Sequence, residues 1–212
     1  MNSFVVPCIE AVLKALTKVT LFSLFKKALK KYKWSSSHAF VDAWVLLNFL
    51  LSFIAAYTYN LISSWISWIF ILFGILRIFE LVVYQFSVLL VDQFRTLNYA
   101  IGGYRRMLIM SLLNYIEIMA WFGLFYLSMA ALFKDDGGVL KSATGAIYYS
   151  LVTMSTLGYG EVTPLKDGVR AIVTLQTIIG MFLIILIISR VISYLPKPKT
   201  MDEDEIKSES EK

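Results

Sequence analysis

Five consecutive residues, Thr156, Leu157, Gly158, Tyr159 and Gly160, have the types and order best suited to binding a dehydrated cation. A potassium ion that sheds its water needs replacement oxygens, which rings of backbone carbonyls can supply. Turning successive carbonyls toward one axis requires a backbone that alternates in handedness, and glycine adopts left-handed conformations at little steric cost. We therefore expect the carbonyls of residues 156–159 to coordinate K⁺, with the Thr156 hydroxyl at the inner end.

A short apolar segment from Ala143 to Ser155 comes directly before these residues. It is too short to cross a bilayer, which takes about 20 residues of helix, so it predicts a re-entrant helix. Non-helical backbone survives at membrane depth only where protein or a water-filled cavity surrounds it. The negative end of this helix would face the cation. The arrangement therefore indicates a pore or an ion site.

The elements around this loop are long apolar stretches. The 212 residues are 58% hydrophobic and 17% charged, which is typical of a membrane protein. Four stretches are long enough to span, at about 39–59, 63–91, 107–133 and 169–195. We therefore expect an all-α membrane protein with four transmembrane helices plus a re-entrant pore helix and filter loop.

Positive charge is unevenly distributed around these stretches. Of the 20 Lys and Arg residues, 15 lie before the first span, between the second and third, or at and beyond the end of the fourth. This distribution predicts cytoplasmic termini in a cell (plasma) membrane and a loop that opens outward. The net charge of +5 therefore suits a membrane rather than nucleic acid. A single cysteine, Cys8, excludes an intramolecular disulfide and a thiol metal cluster.

The segment from Ala146 to Pro164 closely resembles the pore loop of the tetrameric potassium-channel family, whose signature is Thr, one aliphatic residue and Gly-Tyr-Gly. The resemblance covers about 107–195, the family's outer helix, pore helix, filter and inner helix. It implies a homotetramer, because each chain supplies one quarter of the pore. We assign support of the filter to Tyr148, Tyr149, Ser155 and Glu161, with the two pore-helix tyrosines and Tyr159 forming an aromatic cuff.

Two positions depart from commoner members of that family. Glu161 stands where an aspartate often follows the filter, and Val152 stands where some relatives have glutamate. A carboxylate pair behind the filter therefore cannot form. Filter inactivation that depends on such a pair is in doubt, whereas selectivity is not.

The fourth span contains a candidate gate. Gly180 lies 20 residues after Gly160 and matches the family's gating-hinge glycine; close helix packing is the alternative interpretation. Ile184, Ile188 and Ile192 are candidates for an inner hydrophobic constriction that closes by dewetting.

Charged residues inside the spans are candidates for a sensor or for structural ion pairs. Arg77 and Glu80 are an i, i+3 pair, and Asp42 on the first span is a further possible partner. One arginine does not make a strong voltage sensor. Glu117 is either a proton or lipid sensor, or a hydrogen-bonding partner for the neighbouring spans.

The predicted organisation has four parts. Residues 1–34 form a basic amphipathic interfacial segment on anionic lipid, in two helical pieces with a break near Thr20. Residues 35–106 hold two peripheral transmembrane helices and a basic cytoplasmic link, and 107–195 are the pore domain. Residues 196–212 are an acidic, disordered tail.

These observations predict a potassium-selective channel subunit for passive K⁺ flux. We expect no enzymatic activity, no cofactor other than K⁺ in the filter, and no nucleic-acid or small-molecule substrate. A weakly selective cation channel, or a non-conducting membrane scaffold or modulatory subunit, remains the alternative. A coupled transporter fits less well, because such relatives repeat a reduced filter motif four times in one chain.

Overall fold

The computed structural model describes residues 5–28, 38–88 and 103–194. They form seven helices: α1 (Val5–Val19), α2 (Leu21–Ala28), α3 (His38–Thr58), α4 (Ser64–Ser87), α5 (Tyr104–Ser128), α6 (Ala143–Met154) and α7 (Asp167–Tyr194). The predictions for the acidic tail and for the last part of the N-terminal segment concern residues outside these ranges.

Helices α3, α4, α5 and α7 are each long and apolar enough to cross a membrane. Helix α6 has 12 residues and is not, as the sequence predicts. The all-α membrane fold is thereby confirmed. The third span ends at Ser128 rather than near Phe133, because the chain leaves the α-helix there for a 3₁₀ turn at Ala130–Leu132.

Helix α5 is the centre of the packing. It contacts α3, α4, α6 and α7, and its side chains from Ile118 to Leu127 are buried on nearly every side. A helix that is apolar all round is expected to be surrounded in this way. Within the most apolar stretch of each span, 61% is buried in α5 but only 28% in α7. Helix α7 therefore has a large face that the described part of the chain does not cover.

A small antiparallel ribbon joins the two ends of the segment that contains α6 and residues 156–160. Strand β1 (Phe133–Asp135) pairs with β2 (Val162–Pro164), with Phe133 opposite Pro164 and Asp135 opposite Val162. The ribbon connects the segment after α5 to the segment after Gly160. Both ends of the loop that contains α6 are thus held at one place.

The N-terminal segment breaks where the sequence predicts, since α1 ends at Val19 and α2 begins at Leu21. Helix α1 packs against α4. The Phe25 ring of α2 stacks on Trp44 of α3 at a centroid distance of 4.8 Å. The centroids of the Phe22 and Phe40 rings are 6.1 Å apart. The segment therefore packs against the peripheral spans in addition to any contact with lipid.

Candidate functional site

Helix α6 aims its C-terminal end at the five-residue loop. Its first turn is capped by the Ser142 hydroxyl, which accepts a hydrogen bond from the Gly145 amide at 3.0 Å. The helix ends at Met154, and Thr156 follows after a single residue. The partial negative charge of the unpaired carbonyls at this end lies at the base of the loop.

The loop backbone alternates in handedness at every second residue. The φ angles of Thr156, Gly158 and Gly160 are +61°, +56° and +80°. The two glycines were expected to take this conformation; Thr156 was not. A β-branched residue at positive φ is strained by about 1–3 kcal/mol, and such strain is typical of functional segments.

Hydrogen bonds fix the direction of the first three peptide groups. The amides of Leu157 and Gly158 both donate to the Val152 carbonyl, at 3.0 and 3.4 Å, and the Thr156 amide donates to Thr153 at 3.1 Å. In a planar trans peptide the carbonyl of one residue points opposite to the next residue's N–H. The Thr156 and Leu157 carbonyls therefore point away from α6, as cation ligands must.

The loop is exposed in the single chain. Leu157 is 59% and Tyr159 66% accessible. A Cβ added at Gly158 or Gly160 would meet nothing within 4 Å, so these glycines serve backbone conformation rather than close packing. A cavity of about 330 Å³ lies between the loop, α6 and the first half of α7.

The two pore-helix tyrosines have different surroundings. Tyr149 is buried and packs edge-on against Tyr126 and Phe133, with ring centroids 4.9 and 5.6 Å away. Tyr148 is exposed, and its hydrogen-bonding interaction with the Glu161 carboxylate raises the pKa of the phenol. The structure thus brings Tyr148 to the segment after the loop, whereas Tyr149 belongs to the support of α6. Ser155 donates back to the Leu151 carbonyl at 2.7 Å.

Gly180 lies where α7 touches the end of α6. A Cβ on this glycine would come within 2.7 Å of the Met154 carbonyl oxygen and 3.2 Å of its Cα. Backbone atoms cannot move aside as a flexible side chain does. This geometry favours close helix packing at Gly180, and α7 continues as helix through it. A hinge role stays a prediction.

An exposed apolar stripe follows α7. Ile188 and Ile192, two of the predicted constriction residues, are exposed on it, but Ile184 is partly buried and Ile185 is 66% exposed instead. A stripe on one face of a helix repeats at alternating steps of three and four residues, which the 184–188–192 spacing does not follow. The stripe consists of Leu175, Ile178, Met181, Ile185, Ile188 and Ile192.

Three charged residues of the spans form one buried cluster. Arg77 donates to Glu80 at 2.8 Å, as the sequence predicts, and to both carboxylate oxygens of Glu117 at 2.7 and 3.2 Å. All three residues are at most 4% accessible. The bidentate contact joins α4 to α5 and accounts for Glu117 as a structural partner.

The cluster also reaches the N-terminal segment. The Phe22 backbone amide in α2 donates to Glu80 at 2.6 Å, and the Trp121 indole donates to Glu117 at 3.4 Å. Asp42, which the sequence suggested as a possible partner of Arg77, instead accepts a hydrogen bond from Arg106 at 2.9 Å. This contact joins the N-terminal part of α3 to that of α5.

Sequence reasoning missed the polar residues that join α7 to its neighbours. Gln176 is fully buried and hydrogen-bonded to α5 and α6. Arg190, near the other end of α7, donates to Gln85 of α4 at 3.0 Å and to Ser111 of α5. A polar residue in a long apolar run is a signal for such a role. The partners, however, are 26 to 105 residues away.

Comparison with protein families gives one match. Residues 109–197, from α5 to just beyond the end of α7, match a family model described as an ion channel. The match covers less than half of the chain and includes the loop, α6 and Gly180. It supports an ion-channel function for this part of the molecule. No curated protein and no solved structure matched the chain.

Proposed function

We propose that the chain is a potassium-selective channel subunit and that four copies form a pore for passive K⁺ flux. The ion is coordinated by the carbonyl oxygens of residues 156–159, with Gly160 completing the filter. The proposal goes beyond the family match, which supports an ion channel without specifying the ion.

The alternating backbone of Thr156, Gly158 and Gly160 carries this proposal. Together with amides that point toward α6, it leaves the Thr156 and Leu157 carbonyls directed away from that helix. A single chain provides only one side of an ion's coordination shell. Rings of such carbonyls replace the hydration shell of K⁺ when several chains meet around one axis.

The uncovered face of α7 supports a homotetramer. The apolar stripe of α7 and the exposed loop lie on the pore half of the chain, which is the half that carries the ion-channel match. Packing α7 against its copies would bury that stripe and bring four loops together. Closed rotational symmetry is the usual way in which identical subunits surround an axis.

Flux through purified protein in liposomes tests the proposal. With K⁺ inside and an equal concentration of Na⁺ outside, we expect a strongly negative reversal potential inside relative to outside, because K⁺ would leave far more easily than Na⁺ enters. A reversal potential near zero would indicate a weakly selective cation pore. No flux under any gradient would favour a non-conducting scaffold or modulatory subunit.

A glycine pair provides the matched control for the filter. Gly158→Ala places a side chain at φ +56° and should abolish selective flux, since only glycine adopts this conformation without strain. Gly168→Ala lies in the first turn of α7, where an added Cβ meets nothing within 4 Å. It should conduct like the wild type. Equal flux from both variants would contradict the proposed filter.

We also propose that both termini face the cytoplasm of a cell whose plasma membrane holds the channel, with the lysine-rich N-terminal segment on anionic lipid. Cys8 is exposed and is the chain's single cysteine. A membrane-impermeant thiol reagent should therefore label it in permeabilised cells and leave it unlabelled in intact ones. Labelling of intact cells would reverse the orientation.

A further inference from the structure

Gln176 differs from the other polar residues in the apolar part of α7. Between Ala171 and Ile188 the others are Thr174 and Thr177, and both hydroxyls donate to a carbonyl of α7 itself, one turn earlier. Gln176 is 0% accessible and makes its side-chain hydrogen bonds to other helices. A buried amide is costly unless partners replace water, so its partners need to be identified.

The Gln176 side chain joins three helices. Its Nε2 donates to the Ser150 carbonyl oxygen at 3.1 Å and to the Ser150 Oγ at 2.6 Å, both on α6. Its Oε1 accepts a hydrogen bond from the Tyr126 hydroxyl of α5. The Ser150 hydroxyl in turn donates to the Met119 carbonyl oxygen of α5 at 2.7 Å.

The network is complete. Gln176 uses its amide as both donor and acceptor, and Ser150 uses its hydroxyl in both ways too. None of the buried unpartnered polar atoms in the described part of the chain belongs to these residues. A fully satisfied buried network rigidifies the elements that it joins, whereas a half-satisfied one weakens them.

The network fixes the register of α6 against α7 at two successive turns. Gln176 and Gly180 lie four residues apart on α7, and their partners Ser150 and Met154 lie four residues apart on α6. Residues at i and i+4 share one helix face. The first turn is held by hydrogen bonds and the second by backbone contact, and Thr156 begins two residues beyond Met154.

We propose that Gln176 is a positioning residue for the filter, holding the pore helix α6 at a fixed register between α5 and α7 through a neutral hydrogen-bond network. The inference rests on the proposed function of the chain as a potassium-selective channel. Val152, one turn before the filter, is buried and apolar, so residues 150–154 direct no ionised side chain toward it. The neutral network braces α6 without adding a charge.

The donor and acceptor pattern requires glutamine at this position. Leucine has a similar volume and makes none of the bonds. An ionised glutamate would accept from Tyr126 but could not donate to Ser150, and it would leave a charge buried without a partner. Tyr126→Phe removes a single hydroxyl and keeps the ring that packs on Tyr149 and Phe133.

The test measures the K⁺-to-Na⁺ permeability ratio from reversal potentials of the full-length protein in liposomes. Gln176→Leu should assemble and conduct, with a ratio lowered about tenfold, as expected if one or two hydrogen bonds no longer favour the selective geometry. Tyr126→Phe should shift the ratio in the same direction by a smaller factor. Thr174→Val, which removes a hydroxyl that donates to a carbonyl within α7, should keep the wild-type ratio.

The outcomes separate the two proposals. A wild-type reversal potential near zero would contradict the proposed potassium-channel function itself, independently of the results for the variants. A selective wild type with unchanged ratios in Gln176→Leu and Tyr126→Phe would show that Gln176 is merely a buried side chain with satisfied bonds. If Gln176→Leu fails to assemble, the inference is tested by Tyr126→Phe alone. An unchanged K⁺-to-Na⁺ permeability ratio in Tyr126→Phe would then overturn it.

Discussion

Two buried polar networks meet at α5: the one in the peripheral half of the chain is charged, whereas the one that holds α6 in the proposed pore half is neutral. Arg77, Glu80 and Glu117 join α4 to α5 and reach α2, with a formal charge of −1. Gln176 and Ser150, with Tyr126, join α5, α6 and α7 with no formal charge. Helix α5 contributes a residue to each network, Glu117 to the charged one and Tyr126 to the neutral one.

The difference in charge matters because the two networks lie at different distances from the proposed filter. A fixed charge interacts over long distances in a low-dielectric interior and would bias the energy of an ion in the filter. The neutral network holds α6 without that effect. The charged network lies about nine residues along α5 from Tyr126, roughly 13 Å, where a bidentate arginine can join helices firmly. Breaking the charged network should therefore affect folding first, and breaking the neutral one conduction first.

The largest effect is expected for Arg77→Met, which leaves two carboxylates buried without a counter-charge. Removing one partner of a buried ion pair costs about 3–5 kcal/mol. We expect a large fall in the unfolding temperature of the protein in detergent, measured by tryptophan fluorescence. The triple variant Arg77→Met/Glu80→Gln/Glu117→Gln should recover most of it. Unchanged stability of Arg77→Met alone would contradict the charged network's structural role.

The next effect is expected for Gly180→Ala in the pore half, because its Cβ would clash with the Met154 backbone. Overpacking of this kind costs about 1–3 kcal/mol. The contact lies next to the filter, so flux in liposomes should fall along with the unfolding temperature. Gly168→Ala is the matched control. Normal flux and stability in both variants would mean that α6 and α7 do not pack closely at Gly180.

A smaller effect is expected for Glu117→Gln. The amide can still accept a hydrogen bond from Arg77, and the formal charge of the cluster changes from −1 to zero. The two changes oppose each other, so we expect a loss of about 1 kcal/mol. If the role of Glu117 is structural, flux measured from pH 5 to 8 should have the same profile as in the wild type. A flattened profile would instead identify a proton sensor.

The smallest effect is expected for Asp42→Asn, since the Asp42 and Arg106 side chains are each about one-third exposed. Exposed ion pairs contribute about 0.2–1 kcal/mol and are screened by salt. The unfolding temperature should fall slightly at low ionic strength and match the wild type in 1 M salt. A fall in unfolding temperature as large as that of Arg77→Met would contradict the expectation that the exposed ion pair stabilises the protein less than the buried one.

Much of the fold could be predicted from local composition. The four spans, the non-spanning helix and the break near Thr20 depend on runs of neighbouring residues, and the structure has all of them. The β1–β2 ribbon was not predicted, because three-residue strands carry no periodic pattern. The end of the third span was placed too late for a similar reason, since Ala130–Leu132 is apolar but 3₁₀.

The candidate site divides in the same way. The filter segment and its left-handed glycines were readable from residue types, whereas the strained φ of Thr156 was not. Among the α7 residues, Ile184 was predicted to belong to an inner constriction, but it is partly buried and the exposed stripe includes Ile185 instead. Which face of an apolar helix is exposed depends on its neighbours rather than on its own sequence.

By itself, the sequence determined the local properties of this protein: which segments are apolar enough to span a membrane, and where backbone can turn left-handed between them. Only the tertiary structure decided the partners of the buried polar groups. Glu117 lies 40 residues from Arg77, and Gln176 lies 26 residues from Ser150. Such pairs form because the interior provides no water, so a buried polar group needs its hydrogen-bond partner within the protein, here on another helix.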